Sequence, residues 1–290
     1  MTTQALTPRS TPRRRSRAGA RRILASAAAI LFALVWLFPA YWMLNSSLLT
    51  DEELTSRVPV WFPARATLAH YASILGSADF WSAMRMSAAI AAIVVVGSIA
   101  LGFFAALAIS RFRFRSRMSL IIGILIIQMI PAETVFVSQY RMLDTWDLLN
   151  SVAGASLIYL GTNVPFTVWL LKGFVDGVPV ELEEAALLDG CSRMGAFFRV
   201  TLPLIGSGLV ASSIFAFLAS WNEYTLALVS LTSSGSQTLP LWITSFSGMN
   251  QNTDWGGIMA GSTLMALPVV ILFVLVQRNM VAGLTAGAVK

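Results

Sequence analysis

Six apolar runs, each close to the length needed to cross a lipid bilayer, dominate this 290-residue sequence. A helix needs about 20 mainly apolar residues to span the hydrocarbon core. Only 12% of the residues are charged, whereas soluble domains carry about a quarter. The sequence therefore predicts an all-α integral membrane protein with six transmembrane helices, at about residues 23–44, 84–109, 118–137, 152–171, 204–231 and 258–276.

The lysines and arginines predict the orientation of these spans. Cytoplasmic segments beside membrane helices are enriched in Lys and Arg. If the N-terminus is inside, sixteen of the 20 cations fall on cytoplasmic segments, and the outer segments keep only Arg57, Arg65, Arg85 and Arg141. We therefore expect both termini to be cytoplasmic.

The first 22 residues form a basic segment that contains seven arginines together with Ser, Thr and Pro. Such a segment buries too little apolar surface to fold, so residues 1–22 are predicted to be a disordered cytoplasmic tail ahead of a six-span domain at 23–290. Arginines before an apolar run also mark cleaved signal peptides, which would leave five spans. The run at 23–44 is long for a signal core, which favours an uncleaved span. The basic pI does not indicate nucleic-acid binding, because the cations flank apolar runs, where they meet anionic lipid.

The residue inventory excludes several kinds of chemistry. Cys191 is the only cysteine and His70 the only histidine, which excludes an intrachain disulfide and a multi-histidine metal site. The sequence has no GxxxxGK[ST] phosphate-binding loop. The chain is therefore predicted not to be an enzyme, to bind no metal or cofactor itself, and to leave any ATP chemistry to another polypeptide.

Residues 173–203 are predicted to form a cytoplasmic loop between spans 4 and 5 that folds as two short helices. Pro179 suits the first turn of a helix, Asp176 is a candidate N-cap, and three glutamates follow where they complement the helix dipole. Gly190 is placed to end this helix, and a second helix is expected over about 192–200. A proline then separates the loop from span 5.

Apolar side chains on the two short helices leave two interpretations of this loop. Leu182 and Leu188 lie on the first helix, and Met194, Phe197 and Phe198 lie on the second. They could pack on the protein's own membrane helices, or they could form a surface for a partner, since exposed apolar patches commonly mark interaction sites.

The motif in this loop resembles the cytoplasmic loop of ABC importer membrane subunits. Glu184-Ala185-Ala186, Gly190, Val200 and Leu202-Pro203 have the spacing of that family's EAA motif, with Val200 in place of the usual isoleucine. The resemblance implies a type I ABC importer permease fold, in which the helix–turn–helix inserts into a cleft of the nucleotide-binding subunit. The residues implied to couple the protein to the ATPase are Glu184, Ala185, Ala186, Asp189, Gly190, Leu202 and Pro203.

Other motifs resemble the carbohydrate-uptake, maltose-permease-like branch of this family. Residues 221–224, Trp-Asn-Glu-Tyr, match its WNE(F/Y) signature, and residues 277–290 match its "QR…GLTAGAVKG" tail. Ile130-Pro131 near the outer end of span 3 is also typical. The branch commonly has Asn-Ser near the start of span 2, where this sequence has Arg85-Met86-Ser87.

The resemblance also implies partners and a location. It implies a multi-pass subunit of a bacterial or archaeal cytoplasmic membrane that imports a sugar, with di- and oligosaccharides favoured. Its partners would be a sister permease in a heterodimer, two cytoplasmic ATPase subunits that hold ATP and Mg, and an extracytoplasmic sugar-binding protein. No nucleic-acid partner is expected.

Polar residues inside the predicted spans are candidates for the translocation path. Ionisable groups in lipid are costly, so they usually face a cavity or a partner. Within residues 221–224, Asn222 and Glu223 offer hydrogen bonds to sugar hydroxyls, and the Trp221 and Tyr224 rings offer stacking faces. The alternative for Glu223 is a structural hydrogen bond. Glu133 near the outer end of span 3 is a further path candidate, with a solvated or arginine-paired carboxylate as its alternative.

A stand-alone secondary transporter driven by an ion gradient is the competing function. Such a protein needs an ion-coupling residue and usually has an internal repeat. The sequence shows no repeat, and the patterned loop at 173–203 would have no partner in such a transporter. These points favour the importer subunit.

Overall fold

The computed structural model describes residues 15–247 and 253–288, and these ranges contain helices and no β-strand. We number the helices α1 to α14 in chain order: Arg15–Ser47, Asp51–Leu54, Ala69–Gly76, Ala78–Arg111, Arg117–Met129, Phe136–Thr145, Val152–Asp176, Val180–Leu188, Arg193–Ala196, Leu202–Leu204, Gly206–Trp221, Thr225–Ser230, Leu239–Ile243 and Trp255–Ala288. Two 3₁₀ turns, Ala132–Val135 and Thr244–Phe246, and one π-helical turn, Phe197–Thr201, complete the described secondary structure.

Four of the described helices are long and apolar enough to cross a membrane. They are Arg22–Ser47 within α1, then α4, then α7, and Trp255–Gln277 within α14. Two bent helix pairs raise the number to six if each pair is one span. The predicted all-helical membrane architecture is therefore confirmed, although two of the predicted spans are not single straight helices.

The third predicted span, at 118–137, is interrupted. Helix α5 ends at Met129, and the chain resumes as a 3₁₀ turn and α6, so that the two parts meet at about 90°. Pro131 explains the break, because its ring disfavours a helical conformation at Ile130, which is extended with φ −76° and ψ 119°. A single span at 118–137 is therefore corrected to a bent pair.

The fifth predicted span, at 204–231, is divided at both of its ends. The segment Arg193–Leu204 meets α11 at 73°, with Ile205 between them. Helix α11 ends at Trp221, and α12 begins at Thr225 after three residues without helical structure. The continuous helical core of this span is thus only Gly206–Trp221.

Helices α4 and α7 pack closely along their length. Glycines on α4 permit this approach, because a Cβ atom at Gly102 would lie 2.6 Å from Thr167 Cγ2 and one at Gly97 would lie 2.8 Å from Leu160 Cδ2. Helix α11 packs on both α4 and α7, and α14 packs on α11 and α1. Small residues of this kind bring membrane helices together through close van der Waals contact.

The polar segment between α12 and α14 contributes to the core. Leu239 and Trp242 of α13 are buried, and the amide of Leu239 donates to Ser87 Oγ at 2.8 Å. The Trp242 ring packs on Phe80, with ring centroids 5.5 Å apart. Ser87 therefore has a structural role at the position where the sequence departs from the maltose-permease-like pattern. Residues 248–252 of this segment lie outside the described residues.

Helix α1 contributes little to the core. Every side chain from Arg22 to Ala40 is exposed, although the helix contacts α14. Of the predicted disordered tail at 1–22, residues 1–14 lie outside the described residues, and α1 already begins at Arg15. An apolar helix with so little internal packing needs lipid or another subunit around it.

Candidate functional site

Helix α8 carries the EAA motif and lies at the end of the bundle where α4 and α7 finish. We call this the loop end. Pro179 occupies the N-cap position, and no side chain among the described residues caps the helix. The predicted cap, Asp176, is instead the last residue of α7, where its carboxylate pairs with Lys172 one turn earlier. The cap assignment to Asp176 is therefore corrected.

The end of α8 is a turn that requires glycine. Gly190 has φ +87°, in the left-handed region that side chains disfavour. The amide of Gly190 donates to the Leu187 carbonyl at 3.1 Å, and the amide of Cys191 donates to the Ala186 carbonyl at 3.0 Å. These two bonds form a Schellman motif, which closes the helix and reverses the chain. The prediction that Gly190 ends this helix is confirmed.

The motif residues of α8 are available to a partner. Glu184, Ala185 and Asp189 are exposed, and Ala186 is half-buried. Leu188 is 90% exposed. Most of the apolar surface of the helix is thus not covered by the described part of the protein's own membrane helices, which favours the partner-docking interpretation of this loop over self-packing.

A buried ion pair that the sequence analysis missed holds the other face of α8. Arg111 Nε donates to Glu183 Oε1 at 2.7 Å, and each side chain is only 8% exposed. An Arg111 Nη atom also donates to the Val178 carbonyl at 2.8 Å, and Thr201 Oγ1 donates to Glu183 Oε1 at 2.6 Å. Arg111 therefore binds Glu183 inside the protein and does not contact lipid headgroups. Glu183 accepts hydrogen bonds from Arg111 and Thr201, in addition to complementing the helix dipole. No local pattern reveals this pair, because its members are 72 residues apart.

The second helix of the loop contains a widened turn. Ser192 caps α9, its Oγ accepting from the Gly195 amide at 3.1 Å. The amide of Leu202 then bonds to the Phe197 carbonyl, five residues back, which defines the π-helical turn. Pro203 explains the widening, since a proline ring clashes with the carbonyl four residues earlier in a regular α-helix. Leu202 is half-buried and Pro203 is exposed.

Trp221 in the fifth span is a packing residue in this structure. Its side chain is 3% exposed, and its ring stacks on Phe217 with centroids 5.3 Å apart. Its Nε1 donates to the Met265 carbonyl on α14 at 3.1 Å. These contacts occupy the ring in this conformation and support a structural role rather than stacking on a sugar.

The residues after Trp221 form the break between α11 and α12. Glu223 is half-buried, and its Oε1 accepts from the Leu226 amide in the first turn of α12 at 2.8 Å. Asn222 and Tyr224 are exposed, and the Asn222 side chain donates to the Leu218 carbonyl at 2.9 Å. The Glu223 carboxylate stands between these two exposed polar residues in the chain, so the break can present hydrogen-bonding groups to a solute.

Glu133 lies at the bend of the third span, just before α6. It is exposed on the 3₁₀ turn that follows Pro131. The described hydrogen bonds and ion pairs include no contact between Glu133 and residues 221–224. Within the described part of the chain, no hydrogen bond or ion pair therefore joins the two groups of candidate path residues, although α6 packs on α12.

A cluster at the opposite end of the bundle brings three possible metal ligands close to one another. Atoms of Asp51, His70 and Asp254 lie within 4.8 Å of one another. The His70 Nε2 atom lies 3.0 Å from the Leu49 carbonyl oxygen, and Asp254 Oδ1 accepts from the Gly257 amide at 2.7 Å. Because protein partners already engage His70 and Asp254, we assign no metal to this cluster.

Comparison with known proteins identifies the family to which this protein belongs. The sequence matches the family described as binding-protein-dependent transport system inner membrane component over residues 98–285. The diacetylchitobiose uptake system permease protein DasC of Streptomyces coelicolor is 40% identical, and the match covers 93% of this sequence and 97% of that protein. The trehalose/maltose transport system permease protein MalG of Thermococcus litoralis is 30% identical, with coverage of 93% and 97%.

Solved structures support the fold. One subunit of a bacterial ABC transporter involved in the import of the polysaccharide alginate superposes with a TM-score of 0.77 at 22% identity, over 92% of this protein and 99% of that subunit. A second alginate transporter structure, in complex with a periplasmic protein, gives a TM-score of 0.67 at 14% identity, over 92% and 98%. The predicted type I ABC importer permease fold is thereby confirmed. The protein belongs to the family of inner membrane components of binding-protein-dependent transport systems.

Proposed function

We propose that this protein forms half of the translocation path of an ATP-driven importer of di- or oligosaccharides. As a membrane component of such a system, it leaves ATP hydrolysis to a separate subunit. The exposed EAA helix α8, tied to the membrane helices by its opposite face, is the observation that carries this proposal. The relatives named for diacetylchitobiose and for trehalose and maltose support a sugar as the substrate.

The loop end of the bundle faces the cytoplasm in this proposal. The cations Lys172, Arg193 and Arg199 lie on segments at this end, as the positive-inside rule requires. Two ATPase subunits with ATP and Mg bind below the membrane, and one of them receives α8 in a cleft. Glu184, Ala185, Ala186, Asp189 and Gly190 make that contact, while Leu202 and Pro203 shape the turn behind it.

The opposite end faces an extracytoplasmic sugar-binding protein, and a sister permease completes the path as a heterodimer. The apolar surface of α1 is exposed along most of its length, which is consistent with lipid and a sister subunit around it. Asn222, Glu223 and Tyr224 at the helix break supply polar groups to the path, with Glu133 nearer its outer mouth. Trp221 supports this break from behind through its bond to Met265.

ATP drives transport by shifting the complex between two conformations. ATP binding closes the ATPase subunits and moves α8, which favours an outward-facing state, and hydrolysis resets the system. A ligand shifts such an equilibrium only by its differential affinity for the two states. The coupling therefore depends on a rigid connection between α8 and the membrane helices.

The test uses the complete complex in lipid nanodiscs, with its ATPase, sister permease and binding protein. We expect the binding protein loaded with one of a panel of disaccharides and oligosaccharides to raise ATP hydrolysis about tenfold, and Glu184→Lys to remove that stimulation. Because Glu184 is exposed, the substitution should leave the membrane bundle folded. A panel in which no sugar-loaded protein stimulates hydrolysis would contradict the assignment of a sugar substrate.

A further inference from the structure

A buried polar cluster joins three parts of the protein that are far apart in sequence. Arg111 is the last residue of α4, Glu183 lies in the exposed-motif helix α8, and Thr201 lies in the π-helical turn that leads to α11. Two contacts converge on one carboxylate oxygen, Glu183 Oε1, which accepts from Arg111 at 2.7 Å and from Thr201 at 2.6 Å. The cluster thus connects α8 to the end of membrane helix α4 and to the turn that precedes α10 and α11.

The arginine contacts both α8 and the segment that leads into it. Its Nε donates to Glu183 inside the helix, and an Nη atom donates to the carbonyl of Val178, which precedes the helix. A guanidinium group is rigid and planar, so these two bonds fix the start of α8 relative to α4 better than one bond would. Val178 is itself buried, which keeps this contact away from water.

The π-helical turn completes the connection. A regular α-helix through Phe197–Thr201 would have one residue fewer in this turn, and Thr201 would project in a different direction. The turn is widened because Pro203 follows it, so the Leu-Pro of the motif contributes to placing the Thr201 hydroxyl on Glu183. Phe112, next to Arg111, also packs on Phe197 of this turn, with ring centroids 6.3 Å apart.

We propose that Arg111, Glu183 and Thr201 are positioning residues that transmit the displacement of α8 to α4 and α11. This inference rests on the proposed function. It assigns separate tasks to two adjacent glutamates of one helix: Glu184 faces the ATPase, and Glu183 faces the membrane helices. The ion pair moves as one body with α8, so that a movement at the ATPase surface reaches both spans together.

Stability alone gives a weaker account of this cluster. Buried ion pairs are often replaceable by apolar side chains of similar volume without loss of stability, because desolvation offsets much of the attraction. A directional set of hydrogen bonds fixes an orientation, which apolar packing does less well. The two accounts therefore make different predictions for a variant in which Arg111 and Glu183 are both replaced by apolar residues. If the cluster only stabilises the protein, that variant should transport normally; if the cluster positions α8, it should not.

The experiment measures sugar transported per ATP hydrolysed in proteoliposomes that contain the full complex. We expect Glu183→Gln to lower this ratio about tenfold, within the range of coupling effects seen for residues between two sites. Glu181→Gln is the matched control, because Glu181 is exposed on the same helix, and it should keep the wild-type ratio. The double variant Arg111→Met with Glu183→Leu should have the thermal stability of the wild-type complex. Its ratio of sugar transported to ATP hydrolysed should nevertheless stay as low as that of Glu183→Gln.

If Glu183→Gln does not assemble into the complex, the milder variants Thr201→Val and Thr201→Ser test the same inference. Valine keeps the volume and loses the hydroxyl, so the ratio should fall about threefold, whereas serine should retain it. A wild-type ratio in Glu183→Gln, or in Thr201→Val, overturns the inference, as does a wild-type ratio in the apolar double variant. If the wild-type complex shows no ATP-dependent transport, the proposed function itself fails and this inference falls with it.

Discussion

Gly190→Pro should abolish the stimulation of ATP hydrolysis by the loaded binding protein, so that hydrolysis stays at its unstimulated rate when that protein is added. Proline fixes φ at about −65°, whereas Gly190 has φ +87°. The substitution also removes the amide that bonds to the Leu187 carbonyl. The last turn of α8 must then unwind, which displaces the surface that we assign to the ATPase contact. Hydrolysis by the purified complex, with and without loaded binding protein, measures the effect.

Graded variants at the same position separate backbone strain from the loss of the hydrogen bond. Alanine keeps the amide but the left-handed conformation costs it about 1–2 kcal/mol, and asparagine tolerates that conformation better. The stimulation should therefore fall in the order Gly, Asn, Ala, Pro. Gly173→Ala is the matched control, since an added Cβ there meets none of the described atoms within 4 Å. Wild-type stimulation in Gly190→Pro would show that this turn does not shape the contact.

Leu188→Lys should weaken the binding of the ATPase subunit by about 30-fold to 1,000-fold. An apolar residue that is 90% exposed at the tip of α8 has the position of an interface anchor, and such anchors contribute about 2–4 kcal/mol. Lysine near a helix C-terminus complements the helix dipole, so the helix itself should not be weakened. The measurement is the Kd between the membrane heterodimer in nanodiscs and the isolated ATPase subunit.

Leu68→Lys is the control for this variant. Leu68 is 68% exposed and lies at the opposite end of the bundle, just before α3. The same change of apolar side chain to charge should leave the Kd for the ATPase subunit unchanged there. Equal Kd values for wild type and Leu188→Lys would mean that the subunits meet elsewhere on the protein.

The sequence predicted the helical membrane architecture because the length and composition of its apolar runs determine it almost directly. The breaks were harder to predict. Pro131 was visible in the sequence, but the two sides of the bend are apolar enough to be read as one span. The break after Trp221 carries no proline, and there the Glu223 carboxylate accepts a hydrogen bond from the first turn of α12. Hydropathy does not reveal such a hydrogen bond.

The candidate site likewise contains one feature that the sequence predicts and others that it does not. The end of α8 at Gly190 is predictable from the sequence, and the structure confirms it with a left-handed glycine at that position. Glu183 is buried against Arg111, 72 residues earlier, whereas its neighbour Glu184 is exposed. Long-range pairs of this kind lie beyond periodicity and spacing. The same applies to Ser87, whose partner Leu239 is 152 residues away.

The most direct test of the central proposal is sugar accumulation in proteoliposomes that hold the complete complex, with ATP enclosed in the lumen and the binding protein outside. A labelled disaccharide that stimulates hydrolysis should accumulate in the lumen only when ATP is enclosed there, through the complexes whose ATPase subunits face inward. Ionophores that collapse proton and sodium gradients should leave that accumulation unchanged. Accumulation that needs no ATP and disappears with the ionophores would contradict the proposal and assign the protein to the ion-driven transporters.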